Sequence, residues 1–102
     1  MIKRPNIKFS IDEIRRFCAK WRITEFSLFG SVLREDFRPS SDVDVLVRFK
    51  DDAGWDLFDI VEMKEELKSI FGREVDLVEQ GAIRNPFRRH AILSSKETLY
   101  AA

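Results

Sequence analysis

The chain has 102 residues, of which 44% are hydrophobic and 35% charged, a composition that predicts one small globular domain. Its 18 basic and 18 acidic residues give a formal net charge of zero, which argues against a nucleic-acid clamp or a membrane-surface binder. The single cysteine, Cys18, excludes an internal disulfide and a Cys-based zinc site. Without a signal peptide or an apolar run long enough to span a membrane, a cytoplasmic protein is expected.

The first half of the chain predicts a helix, a strand, a short helix and a second strand. Ser10 and Glu13 have the spacing of a capping box, and apolar residues follow at helical intervals. Gly30 interrupts an apolar run, and Ser31 is suited to cap the short helix. The expected segments are a loose arm over residues 1–9, a helix over 11–21, a strand over 25–29, a short helix over 32–36 and a strand over 42–49.

The second half predicts a long helix that connects two parallel strands. An apolar stripe from residue 60 to residue 71 marks the helix, and Gly72 stands where a C-terminal cap is expected. Asn85 and Pro86 suit a helix start as N-cap and first position. The expected segments are a helix from about residue 56 to 71, a strand over 73–79, a helix from 85 to about 93 and a short strand over 98–100.

This order predicts an α/β (α+β) fold, in which helices pack on a small mixed sheet of three to four strands. The long helix between strands two and three is a crossover, so these strands should be parallel neighbours. The short connection between strands one and two favours an antiparallel pair. We expect a single domain over residues 10–102.

Three carboxylates are expected to meet on this sheet. Asp42 and Asp44 lie two residues apart, so they share one side of strand two at a spacing of about 6–7 Å. Asp76, on the neighbouring strand, can join them. Such a cluster suits Mg²⁺ with substrate phosphates, and three carboxylates can hold two ions. The alternative interpretation of Asp42 is a turn residue. Asp44 lies inside an apolar strand, where a carboxylate without a partner is costly, and this favours a ligand role for Asp44.

The Gly-Ser turn before these carboxylates suits a phosphate. Gly30 allows the backbone to approach a phosphate closely, and Ser31 supplies a hydroxyl at the start of a helix, where N–H groups can bind an anion. Arg34, three residues further along the same helix, can contact a phosphate or an aspartate. A common turn and a salt bridge are the alternative interpretations of these residues.

The combined pattern resembles the DNA polymerase β-like nucleotidyltransferase superfamily, and especially its minimal branch, the MNT or MntA-type proteins. The likeness extends over about residues 10–100. It is carried by the residues Phe29-Gly30-Ser31-Val32-Leu33-Arg34, Ser41-Asp42-Val43-Asp44-Val45-Leu46-Val47, Asp76-Leu77-Val78, Asn85-Pro86, Ile92-Leu93 and Leu99-Tyr100.

The resemblance implies a polymerase β palm-like nucleotidyltransferase fold that binds a nucleoside triphosphate with Mg²⁺ and transfers the nucleotidyl group to a hydroxyl. Gly30 and Ser31 would hold the triphosphate, Asp42 and Asp44 would bind metal, and Asp76 would complete the site and activate the acceptor. We add Arg34 and Ser41 to the nucleotide-binding residues, although the family pattern does not fix the role of Arg34.

The resemblance also implies a partner. MNT proteins are commonly encoded beside a HEPN-domain protein, often a ribonuclease toxin, and act as antitoxins by adenylylating one of its tyrosines with ATP. A hetero-oligomer is therefore expected. The alternatives are a binding module that neutralises its partner by steric occlusion and, with less support, transfer to a small molecule or a nucleic acid.

The C-terminal region carries a local positive charge. Residues 80–102 contain four basic side chains and one acidic side chain, whereas residues 51–79 contain ten acidic and three basic ones. The positive segment is either a solvated surface or a surface for phosphate or an acidic partner. His90 is expected at the surface, and Tyr100 in core or edge packing or as a self-modification site. With one histidine, no His-rich zinc site is available.

Overall fold

The structure is a computed structural model that describes residues 7–34, 38 and 40–102. It contains three α-helices, two 3₁₀ turns and four strands within the described residues. In chain order these are α1 (Ile11–Lys20), β1 (Ile23–Phe29), a 3₁₀ turn (Gly30–Leu33), β2 (Val43–Phe49), α2 (Leu57–Phe71), β3 (Val75–Glu79), a 3₁₀ turn (Gln80–Ala82), α3 (Pro86–Ser95) and β4 (Glu97–Ala101).

Three helix ends lie at the capping residues that the sequence predicts. The Ser10 hydroxyl accepts the Glu13 N–H at 3.3 Å, and the Asn85 side chain accepts N–H groups from the first turn of α3. Gly72 closes α2 in the left-handed conformation, with φ of 70°. The Ser10 and Asn85 side chains satisfy N–H groups that a helix start leaves unpaired, and the backbone of Gly72 ends α2.

The four strands form one mixed sheet in the order β3-β2-β1-β4. β1 is antiparallel to both β2 and β4, whereas β2 and β3 are parallel and connected through α2. This arrangement confirms the expected fold class and the expected pairing of strands one, two and three. The terminal strand adds an edge beside β1, where Tyr100 pairs with Phe26 and packs against the core.

The two faces of the sheet differ in what covers them. On the α1/α2 face, Val43, Val45 and Val47 are fully buried with side chains from α1 and α2. On the opposite α3 face, Leu46 forms a smaller buried cluster. The other buried members of that cluster are Phe29, Ile83 and Ile92. Strand alternation therefore assigns a large core to one face and a small one to the other.

Several predicted boundaries differ from the structure. β1 begins two residues earlier than expected, at Ile23, whose side chain is buried, and α3 extends two residues further, to Ser95. Ile7 and Phe9, assigned to the loose arm, pack against the core, and Phe9 contacts Phe71 edge-on with ring centroids 5.7 Å apart. Residues 1–6 of the expected arm lie outside the described residues.

Two minor expectations are confirmed. Cys18 is buried in the core, and burial raises the pKa of its thiol to about 12. His90 is exposed on α3. No helix in the described part of the chain combines the length and apolar character needed to cross a membrane.

Candidate active site

The parallel pairing of β2 and β3 places two aspartates side by side. Asp44 and Asp76 are direct partners in the β2–β3 register. Partners in a register share a face, and Asp44 alternates with Val43 and Val45, so both aspartates belong to the α3 face. Neighbouring strands lie about 4.8 Å apart, which brings the two side chains within reach of one cation. Asp42 precedes β2 by one residue and is exposed.

Gly30 lies directly against the carboxylate of Asp44. Phe29, the last residue of β1, pairs with Asp44, and the chain then turns at Gly30 with φ of 75°. A Cβ atom at Gly30 would overlap Oδ2 of Asp44 and lie 3.2 Å from its Cγ. The position therefore requires glycine for two reasons, the left-handed backbone and the space occupied by the Asp44 carboxylate.

The surroundings of Asp44 disfavour its negative charge. Partial burial raises the pKa of the Asp44 carboxyl above its ordinary value, and repulsion from Asp76 and then Asp42 raises it further. Arg34 and Arg88 act in the opposite direction and lower that pKa, but they do not offset the increase. Excess negative charge among three neighbouring carboxylates is the condition that a bound cation relieves.

The prediction of a short helix over residues 32–36, after the Gly-Ser turn, is wrong. Residues Gly30–Leu33 make a 3₁₀ turn, and Ser31 lies inside it rather than capping it. The left-handed Gly30 starts the turn one residue earlier than a Ser31 cap would. Arg34 follows in an extended conformation, and its N–H bonds to Ser31 O at 2.9 Å, so Arg34 does not share a helix face with Ser31. Residues 35 and 36 lie outside the described residues.

A small cavity of about 180 Å³ opens beside this turn. It is lined by Gly30, Leu33, Arg34 and Ser95. Gly30, which lies against Asp44, therefore borders the same space as Arg34. Three of these four residues come from the turn, and Ser95 is the last residue of α3.

Ser41 stabilises the turn in front of Asp42. Its hydroxyl accepts the Arg38 N–H at 3.1 Å, and its own N–H donates to Arg38 O at 2.9 Å. Arg73, which lies just before β3, donates to Arg38 O at 2.7 Å. The Ser41 hydroxyl is therefore engaged with the backbone, and a direct contact of Ser41 with a nucleotide stays a prediction.

The donor types fit a hard divalent cation, but the side chains are not gathered around one point. Asp42, Asp44 and Asp76 offer carboxylate oxygens, the ligands that Mg²⁺ prefers. Within the described ranges, no three Asp, Glu, His or Cys side chains come close enough together to hold a metal ion. The assignment of the three aspartates as metal ligands stays a prediction.

Sequence reasoning missed Arg88 and Ser95 as neighbours of the site. A signal was present, because Arg88, Ile92 and Ser95 recur at helical spacing, and Ile92 is buried in the α3-face cluster. The local positive charge of residues 80–102 was noted, but the sequence alone does not indicate that α3 carries Arg88 towards Asp44.

A family profile described as a nucleotidyltransferase domain matches residues 11–99. The match spans most of the chain, and the chain belongs to this nucleotidyltransferase family. MJ0435 of Methanocaldococcus jannaschii is 35% identical over 89 residues, which cover 83% of this chain and 92% of that protein. The protein adenylyltransferase MntA of Thermococcus cleftensis is 32% identical over 66 residues, or 65% of each chain.

Solved structures show the same fold. A minimal nucleotidyltransferase matches with a TM-score of 0.70 at 30% identity and covers 85% of this chain and 86% of its own. A chain from the complex of tri-AMPylated Shewanella oneidensis HEPN toxin with MNT antitoxin matches with a TM-score of 0.64. It is 20% identical, over 90% of this chain and 70% of the solved one, and the match shows a shared fold.

Proposed function

We propose that this chain is an Mg²⁺-dependent adenylyltransferase that uses ATP to modify a tyrosine of a HEPN-family ribonuclease toxin and so acts as an antitoxin. One observation carries the proposal: Asp44 is paired with Asp76, follows Asp42 by two residues and lies against the glycine of the Gly30-Ser31 turn. Membership of the nucleotidyltransferase family supports the reaction type. The HEPN toxin bound to an MNT antitoxin in the similar complex supports the partner.

The proposed reaction is an in-line displacement at the α-phosphorus of ATP. The acceptor hydroxyl oxygen forms a bond to that phosphorus, the bond to the bridging oxygen of the β-phosphate breaks, and pyrophosphate leaves. Asp76, at the exposed end of the carboxylate pair, receives the hydroxyl proton. Mg²⁺ bound by the three aspartates would neutralise phosphate charge and make the hydroxyl more acidic.

The turn and two arginines prepare the site for an anionic substrate. Gly30 and Ser31 allow the backbone to approach the triphosphate, since no Cβ shields the peptide at Gly30. Arg34 and Arg88 approach Asp44 from different elements, the end of the 3₁₀ turn and the first turn of α3. Both guanidinium groups can bind phosphate oxygens and offset the charge that ATP brings to three carboxylates.

The test is the intact mass of the partner after co-expression. The chain is produced together with the product of the adjacent gene, the proposed HEPN-family partner, either as wild type or as Asp42→Ala/Asp44→Ala. A gain of one or more AMP units with wild type alone is expected. Asp51→Ala serves as the matched control, because Asp51 is an exposed carboxylate beyond the other end of β2. Equal AMP gains with wild type and with the double variant would contradict the assigned site.

Steric occlusion is the second candidate function. It is favoured by large apolar side chains that the described structure leaves exposed, including Leu57 and Phe58 on α2 and Phe87 on α3. Exposed apolar surface of this kind is typical of protein contacts. A stable, neutralised complex with no gain in partner mass, in wild type and in the double variant, would support occlusion over transfer.

A further inference from the structure

The described chain has two exposed phenylalanines in different settings. Phe58, near the start of α2, is 84% exposed, and Phe87, in the first turn of α3, is 85% exposed. Aromatic side chains left in water are a cost in an isolated domain and a frequent anchor in a protein interface. The two residues are alike in side-chain type and exposed fraction, and they differ in their position relative to the candidate site.

Phe87 is at the edge of the candidate site. Ile92, one turn beyond the neighbouring Arg88, is buried with Phe29 and Leu46 on the α3 face, and Phe29 is the register partner of Asp44. One side of α3 therefore faces the strands that carry the aspartates. Phe87 precedes Arg88 by one residue, which turns its side chain about 100° around the helix axis and out to solvent.

The surface around Phe87 is basic. Arg84 and Arg88 are both exposed, whereas Arg89 donates to Gln80 O at 3.0 Å and so helps hold α3 in place. We call Arg84, Phe87 and Arg88 the α3 rim. It combines an aromatic side chain with two cationic groups, and such a surface complements an apolar partner segment that carries carboxylates.

Phe58 lies on the wrong side of the sheet for the same task. α2 packs on the α1/α2 face, through Met63, Leu67 and Phe71, whereas Asp44 belongs to the opposite face. The surroundings of Phe58 are acidic, since residues 51–79 hold ten acidic and three basic side chains. A protein docked there would not bring a hydroxyl to Asp44.

We infer that the α3 rim docks the acceptor protein, by binding an acidic segment with an exposed apolar side chain next to the acceptor hydroxyl. The inference rests on the proposed function, because it assigns a surface to the acceptor of that reaction. Phe87 supplies the apolar anchor, and Arg84 supplies charge that selects acidic over basic partners. Arg88 connects this surface to the site through α3, because Ile92, one turn further along that helix, packs with Phe29, the register partner of Asp44.

The test measures AMP transfer and binding separately with the purified product of the adjacent gene, the proposed HEPN-family partner. Phe87→Ala is expected to raise the KM for that protein about tenfold and to weaken the complex equally, since interface aromatics are frequent hot spots. The affinity for ATP is expected to stay at the wild-type value. Arg84→Glu should also raise the KM, with a larger effect at low ionic strength. Phe58→Ala is the matched control and should behave as wild type.

The outcomes separate this inference from the proposed function. If Phe87→Ala keeps the wild-type KM and partner affinity, the α3 rim is not the docking surface, although wild-type transfer upholds the function. If Phe58→Ala alone weakens the complex, docking occurs on α2 and the inference fails. If wild type transfers no AMP but binds through Phe87, the docking surface stands and adenylylation fails. A Phe87-dependent self-association of the chain alone would assign the rim to a second copy and overturn the inference.

Discussion

The two faces of β2 show how one strand serves both stability and chemistry. Val43, Val45 and Val47 point into the α1/α2 face and are fully buried, whereas Asp44 between them points to the α3 face beside Asp76. The first face is closed by two helices and the second only partly by α3. Because successive side chains of a strand point to opposite faces of the sheet, the carboxylates lie on the α3 face and outside the main core.

This comparison predicts that changes on the two faces affect different measurements. A substitution on the α1/α2 face should change the free energy of unfolding and leave the chemistry of folded molecules intact. A substitution at the aspartates should abolish transfer without lowering stability. A core variant that changes the chemistry of folded molecules, or an aspartate variant that lowers stability, would show that the two faces are coupled more tightly than their packing indicates.

The largest expected effect is the loss of transfer in Asp44→Asn. Replacing the central carboxylate should lower kcat for AMP transfer about a thousandfold, because the site loses one of the carboxylates that would bind Mg²⁺. Unfolding stability should not decrease, since the variant removes repulsion from Asp42 and Asp76. Radiolabelled transfer and denaturant titration measure the two quantities. Asp51→Asn, with an exposed carboxylate far from the aspartate pair, should match wild type in both.

The next largest effect is on stability, in Leu67→Ala. Leu67 is fully buried between α2 and the α1/α2 face, so its truncation should lower the free energy of unfolding by about 3 kcal/mol. Folded Leu67→Ala should keep the wild-type kcat. Leu57→Ala on the same helix is the control, because Leu57 is 74% exposed and its truncation should change stability by less than about 0.5 kcal/mol. Equal destabilisation in both variants would be inconsistent with the described packing.

Gly30 and Gly72 provide a matched pair for a smaller effect. Both are left-handed, with φ of 75° and 70°, but a Cβ atom at Gly72 meets nothing within 4 Å. Gly72→Ala should therefore cost only backbone strain, about 1 kcal/mol. Gly30→Ala should cost about 2 kcal/mol, because its Cβ also displaces the Asp44 carboxylate, and it should lose transfer activity. Thermal unfolding of the two variants, with transfer assays alongside, would reveal whether that carboxylate contact exists.

The smallest expected effect is a pH dependence of stability due to Asp44. Burial, with Asp76 and Asp42, raises the pKa of Asp44 above 3.8, so the folded state binds this proton more tightly than the unfolded state. Stability should therefore fall as pH rises from 3.8 to the raised pKa, and stay lowered above it. Metal-free wild type and Asp44→Asn should diverge in that sense across this range. A parallel pair of stability curves would show that the surroundings of Asp44 do not penalise its charge.

Most of the fold could be predicted from the sequence because its signals are local. Ser10, Gly72 and Asn85 mark helix ends by hydrogen bonding or backbone conformation, and the long crossover fixes the parallel pairing of β2 and β3. Strand alternation likewise separated Val43 from Asp44. The 3₁₀ turn over Gly30–Leu33 was predicted as a short helix, because a sequence allows a glycine to be left-handed but does not show that it is.

The arrangement around the aspartates was less predictable because it depends on tertiary packing. The position of Arg88 relative to Asp44 depends on Ile92, which anchors α3 to the sheet, and Arg73 reaches the turn at Arg38 from a position 35 residues away. The helical spacing of Arg88 and Ile92 is visible in the sequence, but the packing of α3 on the sheet and the Arg73 hydrogen bond are not. The Asp44–Asp76 pairing was predictable in kind, because parallel strands bring residues of one register together.

The most direct test of the account is the fate of the α-phosphate of ATP. Purified wild-type chain is incubated with Mg²⁺ and the proposed HEPN-family partner, in parallel with ATP labelled at the α-phosphate and ATP labelled at the γ-phosphate. The account predicts that the α-label enters the partner while the γ-label is released as pyrophosphate, and that Asp44→Asn abolishes both. Incorporation of the γ-label, or of neither label into a partner that is nonetheless neutralised, would contradict it.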